Sequence, residues 1–266
     1  MPSLLSDVPV LANRSDAIRV VPLATVHEIG LVHDMAGAGP GVPPPQLTYR
    51  GGPLLTSVNV VTVFWGKAWT LAANKAMPDK LNGFFDVILK SALLDQMGEY
   101  STPGNKIGRG TRSATLTVTS PNVKLNVTDG AVQHFLQTQL AAAAVPAPTM
   151  NTLYFVYLPP GVSVTQGGGR SCQVFCGYHS DIGGSVFYAV MPYPTCQGCT
   201  GSLAAFDALT STSSHELCEA ITDPIPGRGW YDDNHGEIGD ICAWKTKSVA
   251  GFTVQLEWSN QANTCV

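Results

Sequence analysis

Ser213-Ser214-His215-Glu216-Leu217-Cys218-Glu219-Ala220-Ile221-Thr222-Asp223-Pro224 is the stretch on which the reading of this chain turns. Taken as a helix, it sets His215 and Glu219 four residues apart, one turn from each other on one face. An imidazole and a carboxylate placed like this can grip one metal ion, since zinc accepts both at roughly 2.0–2.2 Å. Glu216 leaves the same helix about 100° further round. Thr222-Asp223-Pro224 ends it, because a residue before proline is pushed out of the α region. The competing reading is a solvent-facing helix that carries acids beside a histidine and holds nothing.

The following loop, Tyr231-Asp232-Asp233-Asn234-His235-Gly236-Glu237-Ile238-Gly239-Asp240, favours the metal. It crowds Asp232, Asp233, His235, Glu237 and Asp240 together in a chain with only 13% charged residues. Glu237 and Asp240 are the candidates for a third ligand and for the acceptor that fixes the imidazole of His215. The motif is H-E-x-x-E, a variant of the H-E-x-x-H pattern in which zinc peptidases hold their metal and keep a general base. Glu216 occupies the base position, and Tyr231 or His235 is placed to steady an oxyanion. Thermolysin-type zincins also take a downstream glutamate as ligand, at a longer spacing than here. Zinc is preferred to calcium because histidine suits it better, although an oxygen-rich loop leaves calcium as an additional or alternative ion.

With 266 residues the chain can bury a substantial core. A formal net charge of −4 gives no electrostatic footprint for nucleic acid. No apolar run approaches the 18 or so residues of a membrane span. Asp7, Arg14 and Asp16 lie where a signal peptide would need its apolar centre. Seven cysteines nevertheless suit an oxidising, extracellular compartment. Cys172 and Cys176, Cys196 and Cys199, and Cys242 and Cys265 are the disulfide candidates. The expected pairing is Cys172–Cys176 or a cross-pairing with Cys196 and Cys199, together with Cys242–Cys265. A zinc ribbon of the first four is the alternative. Cys218 is expected to be a buried free thiol.

The periodicities predict an α/β protein, a mixed sheet with covering helices and a zincin-like active-site helix late in the chain. Residues 1–45 read as an N-terminal arm ending in a Gly/Pro linker, a propeptide remnant by its composition. Residues 46–266 read as one domain, expected to be monomeric. Strands are predicted at Val58–Trp65, Thr115–Thr119, Leu153–Leu158, Ser185–Met191 and Thr253–Trp258. Helices are predicted at Asp79–Met97, from a cap at Asp129 through Ala143, and at Leu203–Thr222 with Phe206, Leu209, Leu217 and Ile221 turned inward. Gly167-Gly168-Gly169-Arg170 opens no helix and is no phosphate cradle.

Several segments together resemble the EXORDIUM, or phosphate-induced protein 1, family of plants. Tyr49-Arg50-Gly51-Gly52-Pro53-Leu54-Leu55, running into Val63-Phe64-Trp65-Gly66, is similar to the start of that domain. Cys172-Gln173-Val174-Phe175-Cys176-Gly177-Tyr178-His179, Cys196-Gln197-Gly198-Cys199 and Thr222-Asp223-Pro224 resemble its later motifs in order. The plant members carry small and apolar residues at the positions of His215, Glu216 and Glu219, so their role in growth signalling does not transfer. The resemblance implies a microbial branch with a zincin-like site. His179 matches a position also present in members without that site, which implies a structural role.

Two functional classes follow. One is a secreted zinc metalloendopeptidase acting on peptides or proteins, with Glu216 as base and His215 and Glu219 as ligands. The other is a non-catalytic extracellular domain that binds wall glycan or protein and uses the ion structurally. An open ligand position and a cleft beside Glu216 favour the first; full protein ligation or burial of Glu216 favours the second.

Overall fold

The computed structural model describes residues 20–24 and 43–266. The rest of the expected arm and linker lies outside the described residues. The architecture is α/β, as the periodicities require. Its centre is a six-stranded mixed sheet in the order Val20–Pro22, Phe175–Ile182, Val186–Pro192, Thr152–Leu158, Asn59–Trp65, Thr111–Val118. The last four strands run parallel to one another, whereas Phe175–Ile182 and Val20–Pro22 are added antiparallel at one edge. Part of the arm is therefore an edge strand of the sheet.

Strands 152–158 and 186–192 are buried throughout, as their unbroken apolar runs imply. Alternate residues face opposite ways. Leu153, Phe155, Tyr157, Phe187, Ala189 and Met191 meet the helices Met77–Ile88, Ala92–Met97 and Ala205–Thr222 in one core. Tyr154, Val156, Leu158, Tyr188 and Val190 meet Val132, Phe135 and Leu136 of helix Asp129–Ala141 in the other.

Some predicted boundaries shift. The single helix expected over 79–97 is two, because the Ser91 hydroxyl bonds back to Ile88 O and accepts from Leu93 N, restarting the chain as a new helix. Thr128, not Asp129, caps its helix through Ala131 N. Asp129 is left to accept from the hydroxyls of Tyr178 and Tyr188. The strand expected at 115–119 is longer, Thr111–Val118. The one expected at 253–258 is two pieces, Phe252–Gln255 and Trp258–Ser259.

The motif helix, Ala205–Thr222, is buried from Ala208 onward on every side, which rules out the solvent-facing alternative. Phe206 is only partly buried. A helix rich in Ser and Thr tolerates this because its hydroxyls find partners. Thr210 donates to Thr253 O, Ser213 pairs with the Tyr157 hydroxyl, and Ser214 accepts from Gln255 N.

The cysteines cross-pair: Cys172–Cys196, Cys176–Cys199 and Cys242–Cys265, with Cys218 free and buried. Cys172–Cys176 does not form, and bonded sulfurs leave no zinc ribbon. Each bridge closes a loop of 23 or 24 residues, a length worth about 3 kcal/mol in unfolded-state entropy. Among the described residues no helix is long and apolar enough to cross a membrane. The bridges are consistent with an oxidising, extracellular compartment. Thiol titration of the denatured, unreduced chain should find one reactive group, from Cys218. Five or more would show that the framework is reduced.

Candidate metal centre

The centre lies where the motif helix crosses the antiparallel edge of the sheet and meets the loop after Tyr231. His215 Nε2 stands 2.9 Å from Glu219 Oε1, the i, i+4 pair expected of the helix. Both side chains are fully buried. The approach lacks hydrogen-bond geometry, and neither ring nitrogen of His215 has a hydrogen-bond partner. Asp240 completes the set: one ligand atom each from His215, Glu219 and Asp240 lies within 4.8 Å of the others. Asp240 N also donates to Glu219 Oε1 at 3.2 Å, fixing that carboxylate from the loop side.

Of the two acids proposed for the third position, Asp240 therefore joins the triad. Glu237 turns instead toward His179, with Oε1 3.5 Å from Nε2, and both its oxygens are buried without a hydrogen-bond partner. The expected acceptor behind His215 is missing, because its Nδ1 has no partner. The ring is held by contact. A Cβ on Gly239 would come within 2.8–2.9 Å of three of its atoms, so only glycine lets the loop lie flat on the imidazole. Gly236, at φ 87°, lets the chain turn so that Glu237 N donates to Asp240 Oδ2 at 3.1 Å.

His179, to which the family resemblance gave a structural role, lies against these groups. Its Nδ1 lies 3.0 Å from Glu216 Oε2 and 3.5 Å from Glu219 Oε2. Its Nε2 lies 3.1 Å from the carbonyl oxygen of Asp223. Two residues earlier in the same strand, Gly177 faces the motif helix, and a Cβ there would meet Thr212 Cγ2 at 2.8 Å. The missing side chain lets helix and strand close up until His179 reaches Glu216. Period-two alternation over Gly177 and His179 is the sequence signal that could have found this.

The two proposed oxyanion residues find other company. His235 Nδ1 lies 2.9 Å from Asp232 Oδ1. Tyr231 has the Arg50 guanidinium 4.3 Å over its ring, and Arg50 also pairs with Asp233. Asp223 closes the helix and accepts from the backbone N–H groups of Gly227, Arg228 and Gly229. Glu257, unremarkable in the sequence, is a further buried acid with both oxygens unpartnered. A cavity of about 290 Å³, lined by Ser163, Arg170, Gln173, Tyr193 and Thr195 among others, includes none of these groups.

These groups perturb one another strongly. Burial opposes protonation of His215, but Glu219 and Glu216 outweigh it and hold its pKa well above 6.5. His179 is raised in the same way, burial being overcome by Glu237, Glu216 and Glu219. Burial raises Glu216 and Glu237 against the pull of His179. Burial would also raise Glu219, yet His215 and His179 together hold it down at about 2. Several carboxylates packed without partners cost roughly several kcal/mol each unless something cationic is supplied. A divalent ion fits this donor set, and His215, Glu219 and Asp240 would hold it. No family model matches this chain and no curated protein matches it, so the EXORDIUM resemblance rests on the quoted motifs alone.

Two outcomes follow. Gly239→Ala should displace the imidazole and lower metal affinity at least tenfold, while Gly104→Ala, with open space around it, should not; equal affinities would remove the contact argument. The second concerns pH. Raised histidine pKa values stabilise the metal-free fold fully below 6.5 and lose that effect as pH rises through the folded values. The raised Glu216 and Glu237 act in the same sense above 4.5. Metal-free protein should therefore melt lower as pH climbs from about 5 to 8, whereas metal binding strengthens as its ligands lose protons. The melting-temperature drop on chelation should widen with pH; a constant drop would contradict the charge assignment.

Proposed function

We propose that this chain is a zinc-dependent hydrolase of peptide bonds, its ion held by His215, Glu219 and Asp240. The observation that carries the reading is the 2.9 Å approach of His215 Nε2 to Glu219 Oε1, without hydrogen-bond geometry, in a fully buried triad completed by Asp240. Three protein ligands are the number that catalytic zinc takes, leaving one position for water or substrate. Bound zinc would supply Lewis acidity, polarising a carbonyl and making water more acidic.

The chain's own residues have separable roles. Glu216 is the general base: its Oε1 has no partner and takes the proton, while Oε2 is tethered to His179. His179 orients Glu216 and is itself anchored on Asp223 O. Desolvation around Glu216 strengthens its hold on a proton, as a base working near neutrality needs. Peptide or protein is the proposed substrate class, secretion the proposed destination, and a microbial EXORDIUM-like branch the proposed kinship.

One observation favours a second reading, a non-catalytic extracellular domain with a structural ion. Glu216 is completely buried, and substrate must reach it for hydrolysis to occur. The readings separate in one variant. Under the first, Glu216→Gln keeps the ion on His215 and the fold, but loses roughly 10²–10⁴-fold in peptide hydrolysis, since an amide accepts no proton. Phenanthroline should mimic the loss and zinc reverse it. Wild-type protein that is loaded with zinc yet cleaves no peptide library would establish the second reading, in which chelation only lowers the melting temperature.

A further inference from the structure

Glu219 has two oxygens, and each faces a different imidazole. Oε1 lies 2.9 Å from His215 Nε2, and Oε2 lies 3.5 Å from His179 Nδ1. Around His179 the donors form a second triad, with one atom each from His179, Glu216 and Glu219 within 4.8 Å of one another. All three residues are fully buried.

The tautomer of His179 decides what this triad can hold. Asp223 O, a carbonyl, only accepts, so the His179 Nε2 facing it at 3.1 Å carries hydrogen. In the neutral ring, Nδ1 then turns a lone pair toward carboxylate oxygens of Glu216 and Glu219. Acceptors do not converge in a buried site unless something positive lies between them. A proton on Nδ1 would serve Glu216 Oε2 but leave Glu216 Oε1 and Glu219 Oε2 unpartnered, as they are here. A cation would serve both carboxylates and the lone pair at once. The Nε2–H to Asp223 O bond is also the support that metal-ligating histidines usually have behind them. Asp223 is in turn pinned by three backbone N–H groups, so this carbonyl is firmly placed.

We propose that the centre binds two divalent metal ions bridged by Glu219, one with His215 and Asp240, the other with His179 and Glu216. This rests on the reading of His215, Glu219 and Asp240 as ligands of the first ion, and leaves Glu216 Oε1 free to take a proton. One imidazole with carboxylates suits first-row divalent metals such as zinc and manganese.

The test is a metal count on the full chain, stripped by chelator and reloaded with zinc, with elemental analysis after gel filtration. Wild type should hold two ions per chain, and His179→Gln and His215→Gln one each. Glu219→Gln should weaken both. Reloading with cobalt(II) gives a readout independent of variant folding. Ions sharing a carboxylate sit about 3.5–4 Å apart and couple magnetically, so the paramagnetic resonance of half-loaded protein should fade at full loading. A wild-type count of one, unchanged in His179→Gln and with uncoupled cobalt, would overturn the second ion. It would leave His179 and Glu216 as an imidazolium–carboxylate pair and the single-ion reading intact. A count of zero would overturn both readings.

Discussion

Charge buried without compensation is the constraint to which the rest of this structure answers. The motif helix runs from Ala208 to Thr222 with no exposed face, and it carries His215, Glu216 and Glu219 into the interior. A helix there could have been apolar at far lower cost, since isolated buried ions lose several kcal/mol or more of hydration. The hydroxyls of Thr210, Ser213, Ser214 and Thr222 are accommodated by neighbours, so their polarity as such is harmless. The carboxylates are different: Glu216, Glu219 and Glu237 each retain an oxygen with no hydrogen-bond partner. Two imidazoles cannot satisfy them, and no lysine or arginine pairs with them among the described ion pairs. A metal ion, as proposed above, would supply the missing charge in the least space.

The fold converges the donors from three directions by different means. The helix contributes by periodicity, His215 and Glu219 falling one turn apart. The sheet contributes by a deletion: Gly177 removes the side chain that would hold helix and strand apart, and His179 reaches through the gap. The loop has no regular structure to rely on and uses contacts instead, with Gly239 pressed on the imidazole and Gly236 turning the chain beneath Asp240. Gln255 Nε2 holds Gly239 O at 2.9 Å from the far side, so strand 252–255 serves both the core and the centre.

What the sequence disclosed followed from local physics. The His215–Glu219 juxtaposition on the helix, the acidic loop, the two fully buried strands and the free Cys218 depend on spacing or composition within a few residues. The helix expected over 79–97 and the cap expected at Asp129 were misplaced because a side chain bonding its own backbone, as Ser91 and Thr128 do, shifts an element's end without altering its apolar pattern. The place of His179 beside Glu216 was hidden for a larger reason. It lies 37 residues from Glu216, and its value depends on a register between strand and helix that no local pattern encodes. The choice between Glu237 and Asp240 was likewise open. It turns on a 3₁₀ turn at Asp240–Cys242, which swings one acid toward His215 and the other toward His179.

That turn also ties the centre to the disulfide framework. Cys242 ends the segment that begins at Asp240, and its bridge to Cys265 fixes the segment to the C-terminal strands. Trp258 N donates to Ile238 O two residues before Asp240. His215 and Glu219 are positioned by a helix whose geometry persists without help, whereas Asp240 is positioned by a loop that these ties alone make rigid. The three candidate ligands therefore differ in how they are supported. Two are preorganised by periodicity, and the third by covalent and backbone closure between segments some 20 residues apart. A carboxylate on an unbraced loop would have to be ordered at the moment of binding, at about 1–2 kcal/mol per residue of backbone. Bridging Cys242 to Cys265 meets that cost during folding, so a loop rich in like charges is already held in shape beside His215 and Glu219.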